Sequence, residues 1–185
     1  MTISIKPTAS GSTIEQNGST ILTVDNSGNI TPTNGLYPKG PAFSAYSTIG
    51  ISITKDVWTK LPLNATQFDT TGDYNTSTYR FTPSVAGYYH LISNIHSNTA
   101  IDAGPYYYYT RFDKNGSVYL YTSSFHTTSS IFTNDNTLNS STLVYLNGTT
   151  DYVELYAYQS SASSTITMNG GADRNTFSGF LVRAT

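Results

Sequence analysis

Phe81-Thr82-Pro83-Ser84-Val85-Ala86-Gly87-Tyr88-Tyr89 is the stretch whose reading decides the fold of this 185-residue chain. Proline fixes φ and lacks a donor, and glycine punctuates regular structure, so Pro83 and Gly87 bracket a turn. Beyond it side chains alternate across a strand: Tyr89 and Leu91 share one face, and Tyr88, His90 and Ile92 share the other. Apolar groups stand on both faces, so both are covered. One face closes the protomer's own sandwich, and the other needs a neighbour.

Outward from this strand the chain continues as short alternating runs separated by turn residues, with no sustained helical period. The runs are 42–46, 50–53, 57–61, 78–82, 87–96, 106–113, 117–124, 137–146, 152–159, 165–168 and 176–182. Lys114-Asn115-Gly116-Ser117 is a two-residue hairpin signal, because Asn-Gly accepts the positive φ angles of a type I′ turn. Val153, Leu155 and Ala157 alternate with Tyr152, Glu154, Tyr156 and Tyr158, which predicts a core side and an outer side. Many short antiparallel strands at regular spacing predict an all-β sandwich or jelly-roll of about ten strands.

Residues 1–40 differ from residues 41–185, and the two are read as an attachment segment with linker and as the main domain. In the first, 12–16 and 19–24 flank Asn17-Gly18 as a β-hairpin that places Ile14 opposite Ile21. Leu22 and Val24 fall on the other face, so the hairpin needs a partner. Asp25-Asn26-Ser27-Gly28-Asn29 gives a second turn, and Pro32, Pro38 and Pro41 stiffen the connection.

Composition narrows the function. Charged residues make up 11% of the chain and hydrophobic ones 37%, with 16 Tyr and 8 Phe, which favours strands over disorder. The net charge is -2 with Lys and Arg spread singly, so neither a nucleic-acid partner nor an anionic membrane surface is expected. No window reaches transmembrane length, and the first ten residues lack the pattern of a secretory signal. With no cysteine there is neither a disulfide framework nor a thiolate nucleophile. A Gly-x-Ser-x-Gly elbow, a phosphate loop, a His-Glu-x-x-His motif and paired carboxylates in apolar sequence are all missing, so the chain is read as not an enzyme. His90 and His96 share a strand face but stand roughly 20 Å apart when extended, too far to hold one ion. Of Tyr106-Tyr107-Tyr108-Tyr109, alternation sends two rings to the core and two outward. The polar loops 98–104 and 127–139 are the places expected to vary and to recognise partners.

The stretch 63–93 resembles the signature of the complement C1q-like domain, which shares its jelly-roll with the tumour necrosis factor family. Asp69, Tyr74, Phe81, Gly87 and Tyr89 stand at the signature spacings, while Leu63 and Leu91 replace the usual Phe and Ser93 replaces an aromatic. Ser93 suggests a less buried strand end. Thr176-Phe177-Ser178-Gly179-Phe180-Leu181-Val182 resembles the closing strand of the same family.

The resemblance implies a homotrimer packed side by side about a threefold axis. The residues Phe81, Gly87, Tyr89, Gly179 and Phe180 are assigned to the signature core, with Phe180 and Val182 inward. Phe177, Leu181 and Tyr88 are the interface candidates. Some members of the family bind calcium in loops, for which Asp102, Asp113 or Asp135 would serve; no other cofactor is expected. Residues 20–31 resemble a phrase common in bacteriophage virion proteins, where it precedes a fibre or knob. The implied protein is a head-fibre or capsid-decoration knob at the virion surface, docked on a capsid or tail protein through residues 1–40. A receptor-binding tail-fibre tip touching a host glycan or protein, and a bacterial adhesin or carbohydrate-binding module, are the alternatives.

Overall fold

The computed structural model describes residues 2–32, 40–97, 106–127, 136–161 and 163–185. The chain divides into two compact units, Met1–Lys39 and Gly40–Thr185. No helix occurs among the described residues.

In the first unit, β1 (Ile3–Thr8), β2 (Gly11–Gln16), β3 (Ser19–Asp25) and β4 (Ile30–Pro32) form an antiparallel meander in chain order. Asn17 and Gly18 take φ of 49° and 83°, the hairpin geometry that their sequence predicts. The register departs from the expectation. A bulge pairs Glu15 with Thr20 and Ile14 with Leu22, so Ile21 is the extra residue and does not face Ile14. Strand β1, which the sequence reading did not include, places Ile5 against Ile14. At the second turn Asp25 Oδ1 accepts hydrogen bonds from the backbone N–H groups of Ser27 (2.9 Å) and Asn29 (2.8 Å), and Gly28 sits at φ 83°.

The second unit is an all-β jelly-roll. Its strands are β5 (Ala42–Tyr46), β6 (Ile51–Thr54), β7 (Thr59–Lys60), β8 (Ala65–Asp69), β9 (Tyr74–Asn75), β10 (Arg80–Phe81), β11 (Gly87–Ser97), β12 (Tyr106–Lys114), β13 (Ser117–Thr127), β14 (Asn136–Leu146), β15 (Val153–Ser160), β16 (Thr165–Met168) and β17 (Thr176–Ala184). One sheet runs β14-β11-β17-β5-β8, with β16 meeting the far end of β11 and β6 beyond it. The other runs β13-β12-β15-β10-β9, with β7 also on β15. The sequence anticipates most of these strands; β8 and β9 are the additions.

The signature residues have mechanical roles. Asp69 Oδ1 accepts from the N–H groups of Gly72 and Asp73, and its Oδ2 accepts from that of Tyr74 at 2.8 Å, which closes the turn into β9. Tyr74 is buried and donates its hydroxyl to the Leu63 carbonyl. Phe43 lies between the sheets, stacked on Phe81 at 4.2 Å and on Tyr74 at 5.3 Å, with Phe177 edge-on at 4.9 Å. Tyr89 is fully buried and donates to the Val85 carbonyl across the turn. Burying each such ring contributes roughly 1.5–3 kcal/mol.

Two expectations are corrected by the burial pattern. Phe177 is 0% exposed, whereas Phe180 and Val182 are 44% and 54% exposed, so the inward and outward faces of β17 are the reverse of those assigned. The reason is at Gly179, paired with Leu91 on β11, where a Cβ would come within 2.6 Å of Leu91 Cδ2 and 2.9 Å of Phe43 Cε1. A side chain there would have to displace Leu91 and Phe43, both fully buried, so the glycine suits the inward position beside Phe177 and Phe180 points out. Leu181, the other interface candidate of that strand, is partly buried against the core. Ser93 is also fully buried, because it lies mid-strand between Ser140 of β14 and the inward Phe177 of β17, and β11 runs on to Ser97.

Gly87 is a second close approach: a Cβ there would meet the Arg183 carbonyl oxygen at 2.3 Å, and a backbone atom cannot swing aside. Gly87→Ala is expected to destabilise the domain by about 1–3 kcal/mol, as overpacking does. Thermal unfolding of the variant checks this, and an unchanged midpoint would contradict the packing described.

Candidate functional site

The outer face of the β14-β11-β17 sheet is apolar and uncovered at its end nearest Gly87. Tyr88 and Ile92 of β11, Leu143 and Tyr145 of β14, and Phe180 of β17 are all exposed, Leu143 by 58%. Register brings them together: Tyr88 pairs with Tyr145, and His90 lies between Leu143 on one side and Phe180 on the other. The Tyr88 and Tyr145 rings are 5.6 Å apart, and His90 meets Phe180 edge-on at 5.5 Å. A contiguous apolar patch of this kind on a folded domain marks an interaction surface. The structure thus brings Tyr88 into this patch and leaves Phe177 out of it.

A second uncovered site lies on β13. Leu120 stands opposite the fully buried Phe112 yet is 40% exposed, and Val118 beside it is 44% exposed.

The outer face of the other sheet carries charge and rings instead. Glu154 of β15 is buried, and its Oε1 accepts from Arg80 Nε at 2.7 Å and Lys60 Nζ at 3.0 Å. Burial alone pushes the Glu154 carboxyl up, but the hydrogen bonds from Arg80 and Lys60 outweigh it and hold the group below the usual carboxylate range. Asp113, paired across the strands with Glu154, binds Arg111 through both oxygens at 2.8 and 2.9 Å. Burial raises the Asp113 carboxyl despite the Arg111 charge. Two carboxylates driven in opposite directions look like an acid–base pair. Here, however, Glu154 is 2% and Asp113 3% exposed, and both are already matched by cations, so neither is presented to a substrate. Their chemistry is structural.

This placement also bears on calcium. Asp113 is committed to Arg111 and is not an open ligand. Asp102 and Asp135 lie outside the described residues, as do loop 98–104 and most of 127–139. Among the described residues no cluster of three or more metal-ligating side chains occurs. In the tyrosine run, Tyr106 and Tyr108 are buried and Tyr107 and Tyr109 face outward, as alternation requires.

Sequence reasoning did not find the Arg80–Glu154–Lys60 cluster or the guanidinium stacks, in which Arg111 lies 4.2 Å from the Trp58 ring and Arg80 4.0 Å from that of Tyr152. These partners are tens of residues apart, and no local spacing signals them.

No protein-family model matches the sequence, and no curated protein does. Solved structures do. The globular domain of zebrafish complement 1qA protein is 16% identical with a TM-score of 0.57, over 80% of this chain and 100% of that one. Eiger TNF from S. frugiperda is 7% identical with a TM-score of 0.58, over 80% of this chain and 96% of that one. Murine APRIL is 8% identical with a TM-score of 0.54, over 78% of this chain and all of that one. At these identities the likeness is one of fold: the chain contains a C1q/TNF-like jelly-roll.

Because Glu154 has a lower pKa folded than unfolded, its stabilisation is present at neutral pH and is lost as pH falls through the folded value. Glu154→Gln is expected to cost roughly 1.5–3 kcal/mol at pH 7, the scale of hydrogen bonds to a charged group. The gap from the unsubstituted protein closes as pH falls below the ordinary carboxylate range and through the lowered folded value, where that carboxyl protonates. Thermal melts across pH check this; a gap that stays constant down to acid pH contradicts it.

Proposed function

We propose that the chain is a non-enzymatic structural protein of a bacteriophage particle, a homotrimeric surface knob held through its N-terminal unit. The observation that carries this reading is the uncovered apolar face of β11, β14 and β17 on a C1q/TNF-like jelly-roll. Such a face needs a cover, and the resemblance of residues 63–93 and 176–182 implies that the cover is another copy of the chain. Two different apolar sites favour a ring over a two-fold pair. The sheet face of one copy meets Val118 and Leu120 of the next, a head-to-tail contact that closes when the rotation is threefold.

The particle assignment draws on the first unit. Its Asp25-to-Asn29 turn belongs to the phrase that resembles virion proteins, and Ile3, Ile5 and Ile30 are exposed there, apolar groups that suit docking on a capsid or tail partner. In this reading the knob decorates the particle surface as a head fibre.

Phe180→Asp is expected to dissociate the trimer while leaving the fold intact, since it changes an exposed side chain. Phe177→Asp is expected to unfold the domain instead. Light scattering with circular dichroism separates the two, and a trimeric, folded Phe180→Asp variant would overturn the interface. Immunogold labelling of intact particles is expected to decorate their surface, and particles free of label would overturn the virion assignment.

A further inference from the structure

We infer that the chain binds a neutral carbohydrate in the cleft formed by Trp58, Tyr109, Tyr121 and Tyr158 on the outer face of the β13-β12-β15 sheet. The cleft has a volume of about 480 Å³ and is lined, among the described residues, by those four rings with Thr122 and Ser124. That volume lies inside the roughly 300–1,000 Å³ of small-ligand sites. The rings form one connected set. Trp58 is 5.2 Å from Tyr158 and 5.6 Å from Tyr121, and Tyr109 is 5.9 Å from Tyr158. Tyr107 extends it, lying nearly parallel to Tyr109 at 6.2 Å.

Three features select the ligand class. First, a pyranose has weakly positive C–H faces that stack on the negative face of an aromatic ring, and it has hydroxyls around its edge. The cleft offers ring faces together with the hydroxyls of Ser124, Tyr109 and Tyr121, while the Thr122 hydroxyl is turned to the Thr110 carbonyl. Asp56 accepts the Tyr158 hydroxyl at 3.0 Å and so orients that ring. Hydrogen bonds from Ser160 and Tyr158 hold Asp56 below the usual range, so it stays an acceptor at neutral pH. Second, Arg111, the cation against the Trp58 ring, is matched by Asp113, and Lys55 stands by the Asp56 carboxylate, so the cleft favours an uncharged ligand over an anionic one. Third, the site is preorganised. Arg111, fixed by Asp113, braces the Trp58 ring at 4.2 Å and lies 5.2 Å from Tyr156, so the largest ring is held before a ligand arrives. Rings that served only to cover the sheet would close on one another. Instead Tyr121 is 59% exposed beside open space.

The cleft shares strand β13 with Val118 and Leu120 but opens on the other side of it, since Tyr121 pairs with the outward Arg111 and Leu120 with the buried Phe112, and the assignment holds whether or not the chain belongs to a particle. Trp58 is the only tryptophan in the chain, so its fluorescence reports occupancy directly. The full-length protein is titrated with neutral glucose-, galactose-, mannose- and N-acetylglucosamine-based oligosaccharides, and with a polyproline peptide. A saturable change in Trp58 emission is expected with at least one of the sugars. Tyr121→Ala, at an exposed position, is expected to keep the melting temperature and to weaken that sugar roughly tenfold, the loss for one stacked ring. The inference is overturned if no sugar changes the emission, if Tyr121→Ala binds as tightly as the unsubstituted protein, or if only the polyproline peptide saturates the site.

Discussion

Phe177 meets Phe43 edge-on at 4.9 Å and Phe112 at 5.6 Å, and that contact between the sheets determines which way every other side chain of β17 points. Alternation does the rest. With Phe177 and Gly179 inward, Phe180 is outward, next to His90 and in line with Tyr88, Ile92, Leu143 and Tyr145. The uncovered apolar face is therefore a consequence of the core. Gly179 suits the same choice from the other side, since a larger residue there would have to displace Leu91 and Phe43.

The two sheets solve their outer faces differently. On β12 and β15 the outward positions carry Arg111, Asp113, Glu154 and Tyr156, which satisfy one another through ion pairs and guanidinium–ring contacts. That cluster is complete without a partner. On β11, β14 and β17 the outward positions nearest Gly87 are rings and aliphatic groups that no part of the described chain covers, and beside and beyond Ile92 they give way to Asn94, Asn139, Ser141 and Ser178. Burial of charge is tolerated on the first because every carboxylate has a cation. Exposure of apolar surface on the second is what calls for association.

The fold was legible in the sequence because its signals are local. Pro83 and Gly87 mark a turn, Asn17-Gly18 and Asn115-Gly116 mark hairpins, and period-two alternation marks Gly87–Ser97 and Val153–Ser160. The strands β8 and β9 were missed because they are short and their order comes from the Asp69 carboxylate capping a turn, a contact no periodicity shows. The faces of β17 were misread for a related reason. Both of its faces are apolar, so pattern alone does not choose between them, and the choice is made by a register with β11 that joins residues about ninety apart. The ring cleft and the Arg80–Glu154–Lys60 cluster are likewise products of tertiary register. Tyr106–Tyr109 signalled rings on a strand, but not that Trp58 and Tyr158 would join them.

Association through the β11-β14-β17 face is the claim on which the functional reading turns, and native mass spectrometry of the unsubstituted full-length protein at micromolar concentration tests it most directly. The account expects a dominant species of three times the 20.1 kDa chain mass, persisting on dilution. A monomer, or a dimer with no threefold species, would contradict it.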